Sequence, residues 1–374
     1  MILSTLDYGC HIYSSASTSL LAHLDTIHHS GLRLALGAFR SSPVESLYTE
    51  SGMPSLSRRR ALLSLRCYAR FHQFSLTKLT IPQSLLHTFT SSPRLPTPLP
   101  VRMDTLLSHS PFPHLRPLPL SVHSIPPWLI PNPCICSSVF PDPPKSDIPP
   151  SILLTHFLDH VSIHSSSIHV YTDGSKSISG AGFAGTFPNC TFKYTLPPES
   201  SVLTTELYAL LFALRRIYSS TSSSFTIFTD SRNSLTLIKS MHSTNPLVCK
   251  IQNWLFYLST RHKSVRFCWV PSHVGIPGNE QADTLARYAT MSTSPQQRFS
   301  HIPATDYFPH FKTFLYTRWQ SFWSRLHNNK LHTVKPSISS WSAPFHKNRR
   351  WETALARLRI GHTRLTHALS LIHI

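Results

Sequence analysis

The 374-residue sequence has few acidic residues and no long apolar run. Only 16 residues are Asp or Glu, against 35 Lys and Arg, which gives a formal net charge of +19. No stretch approaches the roughly 18 uncharged apolar residues of a membrane-spanning helix. The N-terminal sequence MILSTLDYGC lacks the basic start and apolar run of a secretory signal. We therefore expect no membrane partner, and the positive charge indicates a polyanionic partner.

Cysteine is also scarce. The seven cysteines are odd in number and scattered, which is typical of a reducing, intracellular compartment; the pattern does not choose between cytoplasm and nucleus. Cys134 and Cys136 lack partners at zinc-site spacing, and no cysteine follows Cys268. We therefore expect no zinc. The oligomeric state is not predicted.

Most of the acidic residues between positions 167 and 290 lie next to apolar segments. Between residues 167 and 290 there are only six, and four of them adjoin apolar segments: Asp173 in VYTDGS, Glu206 in TTELYAL, Asp230 in FTDSRNS and Asp283 in GNEQAD. Alone, Asp173 or Asp230 is more often a turn residue or a helix cap, and Glu206 alone could be a solvated acid in the first turn of a helix. As a set they suit hard divalent cations, which prefer carboxylate oxygens. Two such ions roughly 4 Å apart can activate water and stabilise the leaving oxygen of a phosphodiester.

The apolar periodicity predicts an α/β fold around these acids. Strands are predicted at 168–173, 180–187, 190–197, 225–229 and 264–270, and helices at 202–217, 231–240 and 246–260. A last helix opens at Pro277-Gly278-Asn279, with Asn279 as a plausible N-cap. Active sites of open α/β sheets form beyond the carboxyl ends of strands. We therefore expect Asp173 and Asp230 side by side, with the other two acids reaching in from helices.

The ordered set YTDGS, TELYAL, FTDS and VPSHVGIPGNEQAD resembles the type 1 ribonuclease H domain of non-LTR (LINE-like) retrotransposons, over residues 165–291. The resemblance implies a ribonuclease H-like mixed five-stranded sheet flanked by helices. It implies an enzyme that cleaves the RNA strand of an RNA–DNA hybrid by two-metal phosphodiester hydrolysis. The catalytic residues and metal ligands it implies are Asp173, Glu206, Asp230 and Asp283, which would bind two Mg²⁺ ions, with Mn²⁺ as a possible substitute.

The same resemblance assigns further roles. His273 matches a catalytic histidine linked to proton handling and product release. Gly174 and Ser175 match a loop near the scissile RNA, and Glu206 matches a residue near the ribose 2′-hydroxyl, which distinguishes RNA from DNA. Alone, His273 reads as a surface loop histidine, since the chain has 24 histidines. The alternative function is a catalytically weak nucleic-acid-binding remnant of such an element.

Residues 1–75 are predicted to be a small helical segment. One helix is capped by Ser17 and stops near Gly37, and a second follows Pro54 and Ser57. The stretch LDTIHHSGLRLALGAFRSSPVESLYTESGMPSLSRRR resembles the segment after the catalytic palm of non-LTR reverse transcriptases; an unrelated helical bundle is the alternative. The chain has no YxDD motif, so we expect no polymerase activity. We expect a fragment of a retrotransposon polyprotein or a partial gene model.

The remaining segments differ sharply in composition. Residues 76–164 are predicted to be a proline-rich linker, extended and partly polyproline-like, because 18 of the 31 prolines lie between 81 and 150. Residues 292–374 are predicted to be a basic, aromatic helical tail carrying Trp319, Trp323, Trp341 and Trp351. Such a tail suits single-strand binding by base stacking and phosphate pairing. The alternative is a helical packing unit with a solvated basic face.

Overall fold

The computed structural model describes residues 2–74, 97–120, 125–136, 148–163, 166–178, 180–291, 298–341 and 348–361. The chain divides into two compact units. One takes its residues from 1–71, 77–115 and 308–374, and the other from 72–76 and 116–307. Among the described residues, no helix has the length and apolar character needed to cross a membrane.

The described helices, in chain order, are α1 (Ile2–Asp7), α2 (Cys10–Tyr13), α3 (Thr18–Leu36), α4 (Val44–Ser51), α5 (Leu56–Gln73), α6 (Leu99–Ser108), α7 (Pro150–Ile163), α8 (Val202–Ser219), α9 (Arg232–Lys239), α10 (Pro246–Ser259), α11 (Pro277–Met291), α12 (Tyr307–Trp323), α13 (Lys330–Val334) and α14 (Arg349–Ile360). The described strands are β1 (Cys134–Cys136), β2 (Ile168–Lys176), β3 (Ala181–Phe187), β4 (Cys190–Leu196), β5 (Ser224–Thr229) and β6 (Ser264–Trp269).

The unit containing residues 116–307 is built on a mixed sheet with the strand order β1-β6-β5-β2-β3-β4. The pairs β1·β6, β6·β5 and β5·β2 are parallel, whereas β2·β3 and β3·β4 are antiparallel. The predicted mixed α/β sheet flanked by helices is confirmed. The prediction of five strands is wrong, because β1 adds a sixth and gives the backbone groups of β6 a partner.

Helices pack on both faces of this sheet. The larger core joins α8 and α10 to the sheet, and Leu207 and Leu214 pack there with Ile227. The smaller core lies on the opposite face, where Phe157 of α7 packs against Phe228. Neighbouring residues of β5 thus serve opposite cores, as the alternation of a strand requires.

Two local predictions in this unit need correction. Helix α11 begins at Pro277, so Asn279 lies inside the helix and is not its N-cap. Proline suits the first helical position because its missing N–H has no intrahelical partner there. The prediction of an extended linker is wrong for the helices α6 and α7, whereas the extended strand β1 does not contradict it. Pro100 and Pro150 lie in the first turns of α6 and α7, where proline is tolerated. Six of the 18 prolines between 81 and 150 lie outside the described residues.

The unit containing the N-terminal residues is helical, as predicted. The hydroxyl of Ser17 accepts a hydrogen bond from the backbone N–H of Leu20, and α3 ends at Gly37 with φ of 65°. Both predicted ends of this helix are therefore confirmed. Trp319 and Trp323 of α12 are fully buried against a core that includes Leu32 of α3. Base stacking by these two tryptophans is therefore ruled out in this structure, and the helical packing alternative describes them.

Candidate active site

The strand register brings Asp173 and Asp230 together. Strands β2 and β5 are parallel neighbours, with Thr172 paired with Thr229. Asp173 and Asp230 are the residues that follow this pair, so they occupy equivalent positions on the two neighbouring strands. The backbone carbonyl of Asp230 also accepts a hydrogen bond from the indole N–H of Trp269 at 3.0 Å. This bond ties the end of β5 to the end of β6.

Glu206 is brought to the same place by a close contact between β2 and α8. A Cβ built on Gly174 would lie 2.5 Å from the backbone nitrogen of Glu206 and 2.5 Å from the hydroxyl of Thr205. Real Cβ atoms do not approach backbone nitrogen so closely, so this packing distance requires glycine. The glycine therefore lets the second turn of α8 rest directly on the strand that carries Asp173.

The N-terminus of α8 is fixed by a residue that lies beyond α11. Asp306 accepts hydrogen bonds from the backbone N–H of Ser201 at 2.9 Å and from its hydroxyl at 3.1 Å. Ser201 in turn caps α8 by accepting from the backbone N–H of Thr204 at 3.2 Å. Asp306 was not predicted as a functional residue, because its link to α8 joins segments that are distant in the sequence.

Asp173, Glu206 and Asp230 form a compact carboxylate group. One oxygen from each lies within 4.8 Å of the others. Asp173 and Glu206 are only 6% and 5% exposed. Among the described residues, the buried Oε2 atom of Glu206 has no hydrogen-bond partner. A buried carboxylate oxygen without a donor is costly unless a cation satisfies it.

Burial and mutual repulsion raise the pKa values in this group. Burial, followed by the negative charges of Asp230 and Asp283, raises the pKa of Asp173 to about 7. The backbone N–H of Gly174 donates to Asp173 Oδ1 at 2.7 Å and acts in the opposite direction. Burial, followed by the charges of Asp173 and Asp230, raises the pKa of Glu206 well above its ordinary value. A group of closely spaced carboxylates that repel one another fits a hard divalent cation, which prefers oxygen ligands.

Asp283 borders this group without joining it. Its side chain is held by Arg287 one turn along α11, with Nε donating to Oδ1 at 2.9 Å and Nη2 lying 2.7 Å from Oδ2. Asp283 also forms a second acidic group with Glu280 and His273, whose ligand atoms lie within 4.8 Å of one another. The structure thus brings three of the four predicted carboxylates together, and places the fourth beside them. The i,i+4 spacing of Asp283 and Arg287 could have predicted their pairing.

His273 lies in the loop before α11. Its backbone φ is 57°, a left-handed value that is uncommon for a residue other than glycine. Its side chain is 61% exposed, with Nδ1 3.9 Å from Asp283 Oδ2 and also 3.9 Å from Glu280 Oε2. The buried side chains of Val274 and Ile276 anchor the loop. His273 is therefore accessible to solvent while remaining next to the acidic groups.

Gly174 and Ser175 continue β2 past Asp173. They pair with Phe183 and Gly182 of β3, and both are partly exposed. The predicted substrate-contacting positions thus lie on the same strand as the central carboxylate, immediately after it.

Comparison with known proteins is consistent with this geometry. Residues 165–291 match the model of the RNase H family. This segment is an RNase H domain, so the predicted resemblance is confirmed at the level of the RNase H family. The family implies hydrolysis of RNA–DNA hybrids in general, and its members generally use divalent metals. A search of curated proteins finds no match to the chain.

Proposed function

We propose that residues 165–291 form an endoribonuclease that cleaves the RNA strand of an RNA–DNA hybrid by two-metal hydrolysis, with Mg²⁺ as the natural ion and Mn²⁺ as a substitute. The observation that carries this proposal is the buried group of Asp173, Glu206 and Asp230, with one oxygen from each within 4.8 Å. Without a cation, the group is compensated only by protonation, which the raised pKa values of Asp173 and Glu206 reflect; a divalent cation would neutralise the ionised carboxylates directly.

Each carboxylate has a distinct part in this proposal. Bound divalent ions supply a nucleophilic water and stabilise the charge on the phosphate. Asp173 is the central ligand, because both Glu206 and Asp230 interact with it. Asp283 completes the second ion site from α11, where Arg287 holds its side chain in place.

The remaining residues handle protons and the substrate. We assign His273 to proton transfer and product release, because its imidazole is exposed to solvent and lies beside Asp283. Gly174 and Ser175 contact the RNA strand next to Asp173. Glu206 lies near the ribose 2′-hydroxyl, which selects RNA over DNA.

A hybrid-cleavage assay on the full chain in Mg²⁺ tests this function. Asp173→Asn keeps the size of the side chain but removes its charge, so it should reduce cleavage to a few per cent or less while hybrid binding survives. Asp159→Asn is the matched control, because Asp159 is an exposed acid on α7 of the same unit. Equal activity of the wild type and Asp173→Asn would contradict the proposal.

One observation favours the alternative of a catalytically weak, nucleic-acid-binding remnant. Asp283 is engaged by Arg287 and lies outside the group of three carboxylates. In that case, the wild-type chain should bind the hybrid without cleaving it in either Mg²⁺ or Mn²⁺.

We also propose that the chain derives from a non-LTR retrotransposon polyprotein. The support is the reverse-transcriptase-like sequence in residues 1–75 followed by an RNase H domain. The neighbouring genomic sequence tests the proposal, since it should encode a polymerase palm with a YxDD motif, intact or decayed. Flanking sequence without any trace of a polymerase would contradict it.

A further inference from the structure

Three metal-binding side chains meet on the face of the sheet opposite the larger core. Cys136 ends β1 and is paired in register with Cys268 of β6. His160 reaches them from α7, with Nε2 3.4 Å from Cys268 Sγ. The ligand atoms of all three lie within 4.8 Å of one another. The spacing of cysteines in the sequence does not indicate this group, because the partners of Cys136 come from distant segments.

We propose that Cys136, His160 and Cys268 bind one Zn²⁺ ion, with water as the fourth ligand. Zn–S and Zn–N bonds are about 2.3 Å and 2.0–2.1 Å long, so tetrahedral coordination separates neighbouring ligand atoms by about 3.5–3.8 Å. The distance of 3.4 Å from Cys268 Sγ to His160 Nε2 is just below this range. The limit of 4.8 Å on the other separations requires only small side-chain adjustments.

The two thiolates and the imidazole of this group disfavour Mg²⁺ and Mn²⁺, the ions proposed for the carboxylate group. Thiolate and imidazole ligands favour zinc, whereas Mg²⁺ prefers oxygen. All three residues belong to one unit, and the described cysteines are free thiols rather than disulfides. The site is thus chemically separate from the Asp173 group, and the proposal does not depend on ribonuclease activity.

Simple packing of buried cysteines explains the arrangement less well. The chain has only seven cysteines in 374 residues, yet two of them occupy paired positions beside a histidine. Cys268 is fully buried in the smaller core, whereas Cys136 and His160 are partly exposed. This gradient gives an ion a route from solvent to the inner thiol.

Zinc at this position would join three elements. Strand β1 has three residues and is the edge strand of the described sheet, next to β6. Helix α7 contacts the sheet through a small core. An ion would fasten both to the RNase H domain, since Cys268 lies inside residues 165–291 and the other two ligands precede them. The next residue, Trp269, donates to the carbonyl of Asp230, so the ion would also steady the strand beside the carboxylates.

Adding Co²⁺ to the full chain tests the proposal. The protein is first freed of metal and kept under reducing conditions. One equivalent of Co²⁺ should produce a thiolate-to-cobalt charge-transfer band that Zn²⁺ abolishes and excess Mg²⁺ leaves intact. Cys136→Ser should remove most of the band, and His160→Ala should weaken Co²⁺ binding. Cys190→Ser is the control, because Cys190 is an exposed cysteine of the same unit outside the group. Circular dichroism establishes that each variant is folded.

The ribonuclease proposal and the zinc proposal can fail separately. Asp173→Asn should keep the full charge-transfer band, even though it loses cleavage. Absence of the band in the wild type, or its retention in both Cys136→Ser and His160→Ala, would overturn the zinc site. A disulfide between Cys136 and Cys268 that forms equally fast with and without Zn²⁺ would also overturn it.

Discussion

Gly174 touches the helix that carries Glu206 so closely that an added Cβ would lie 2.5 Å from the Glu206 backbone nitrogen. This contact positions the carboxylate group, because Asp173 directly precedes Gly174 and Glu206 is the residue that Gly174 contacts. The distance between β2 and α8 therefore sets the distance between two proposed metal ligands. A substitution at this contact should affect both stability and metal binding.

Gly174→Ala should lower the free energy of unfolding by about 1–3 kcal/mol, the usual cost of overpacking, and should weaken Mg²⁺ binding. The added methyl meets backbone atoms, which cannot move aside as a flexible side chain can. Urea unfolding and Mg²⁺ titration measure the two effects. Ser175→Ala, at the next residue of the strand, should leave stability nearly unchanged. Equal stability of the two variants would show that the helix can shift without penalty.

The pKa of Asp173 makes a prediction for the metal-free protein. Because the pKa of Asp173 is about 7 in the folded state against an ordinary value of 3.8, the folded state binds the proton more tightly than the unfolded state. The contribution of Asp173 to the free energy of unfolding is therefore fully present at low pH and is lost as the pH rises from about 4 to 7. The loss is on the order of 4 kcal/mol at most, since one pKa unit corresponds to about 1.36 kcal/mol.

Urea unfolding in EDTA at pH 5 and pH 8 checks this prediction. Asp173→Asn should be more stable than the wild type at pH 8 and should lose less stability between the two pH values. Adding Mg²⁺ at pH 8 should stabilise the wild type more than the variant, because the cation relieves the repulsion. Identical pH dependence of the two proteins would contradict the assignment.

Asp306→Ala should destabilise the unit that contains residues 116–307 by about 1–3 kcal/mol, since it removes two part-buried hydrogen bonds and leaves the donors of Ser201 without this acceptor. It should also weaken Mg²⁺ binding, because Ser201 begins the helix that carries Glu206. Thr305→Ala is the control at the adjacent exposed residue. A fragment of residues 165–307 should likewise be more stable than one of residues 165–291. Equal stability of the two fragments would argue against a role for Asp306.

His273→Ala should slow turnover by roughly 10²-fold or less, within the range of general acid–base groups. The Mg²⁺ dependence of stability should not change, because His273 is not part of the group of three carboxylates. His262→Ala is a matched control: this histidine is also exposed and has a φ of 55°. Single-turnover cleavage and metal titration separate the two effects. Loss of Mg²⁺ affinity in His273→Ala alone would contradict the proton-transfer role.

The parts of the site that follow from local pattern could be predicted. Apolar strands ending in Asp173 and Asp230 imply neighbouring carboxylates, because parallel strand ends meet at one edge of a sheet. Helical periodicity similarly located Glu206. Strand β1 could not be predicted, since three residues in a proline-rich segment carry no periodic signal and their partner strand is distant. The Asp306 cap and the Cys136 group depend on the same kind of long-range contact.

The tail tryptophans show a different limit of sequence reasoning. Interleaved tryptophan and basic residues suit both base stacking and helix packing, and only the partner surface decides between them. Trp319 and Trp323 are fully buried, whereas Trp351 is 64% exposed. The alternation of residue types in α12 does not reveal that α3 and α4 supply the covering side chains.

Trp323→Ala should therefore destabilise the helical unit by about 3–5 kcal/mol, the usual cost of truncating a buried aromatic side chain. The variant also loses the indole N–H that donates to the carbonyl of Lys335 at 2.9 Å. Trp351→Ala should change the stability far less, because its ring already contacts solvent. Thermal unfolding followed by circular dichroism measures both. If base stacking were the role of Trp323, its removal would weaken single-strand binding and leave stability intact, and that result would reject the packing assignment.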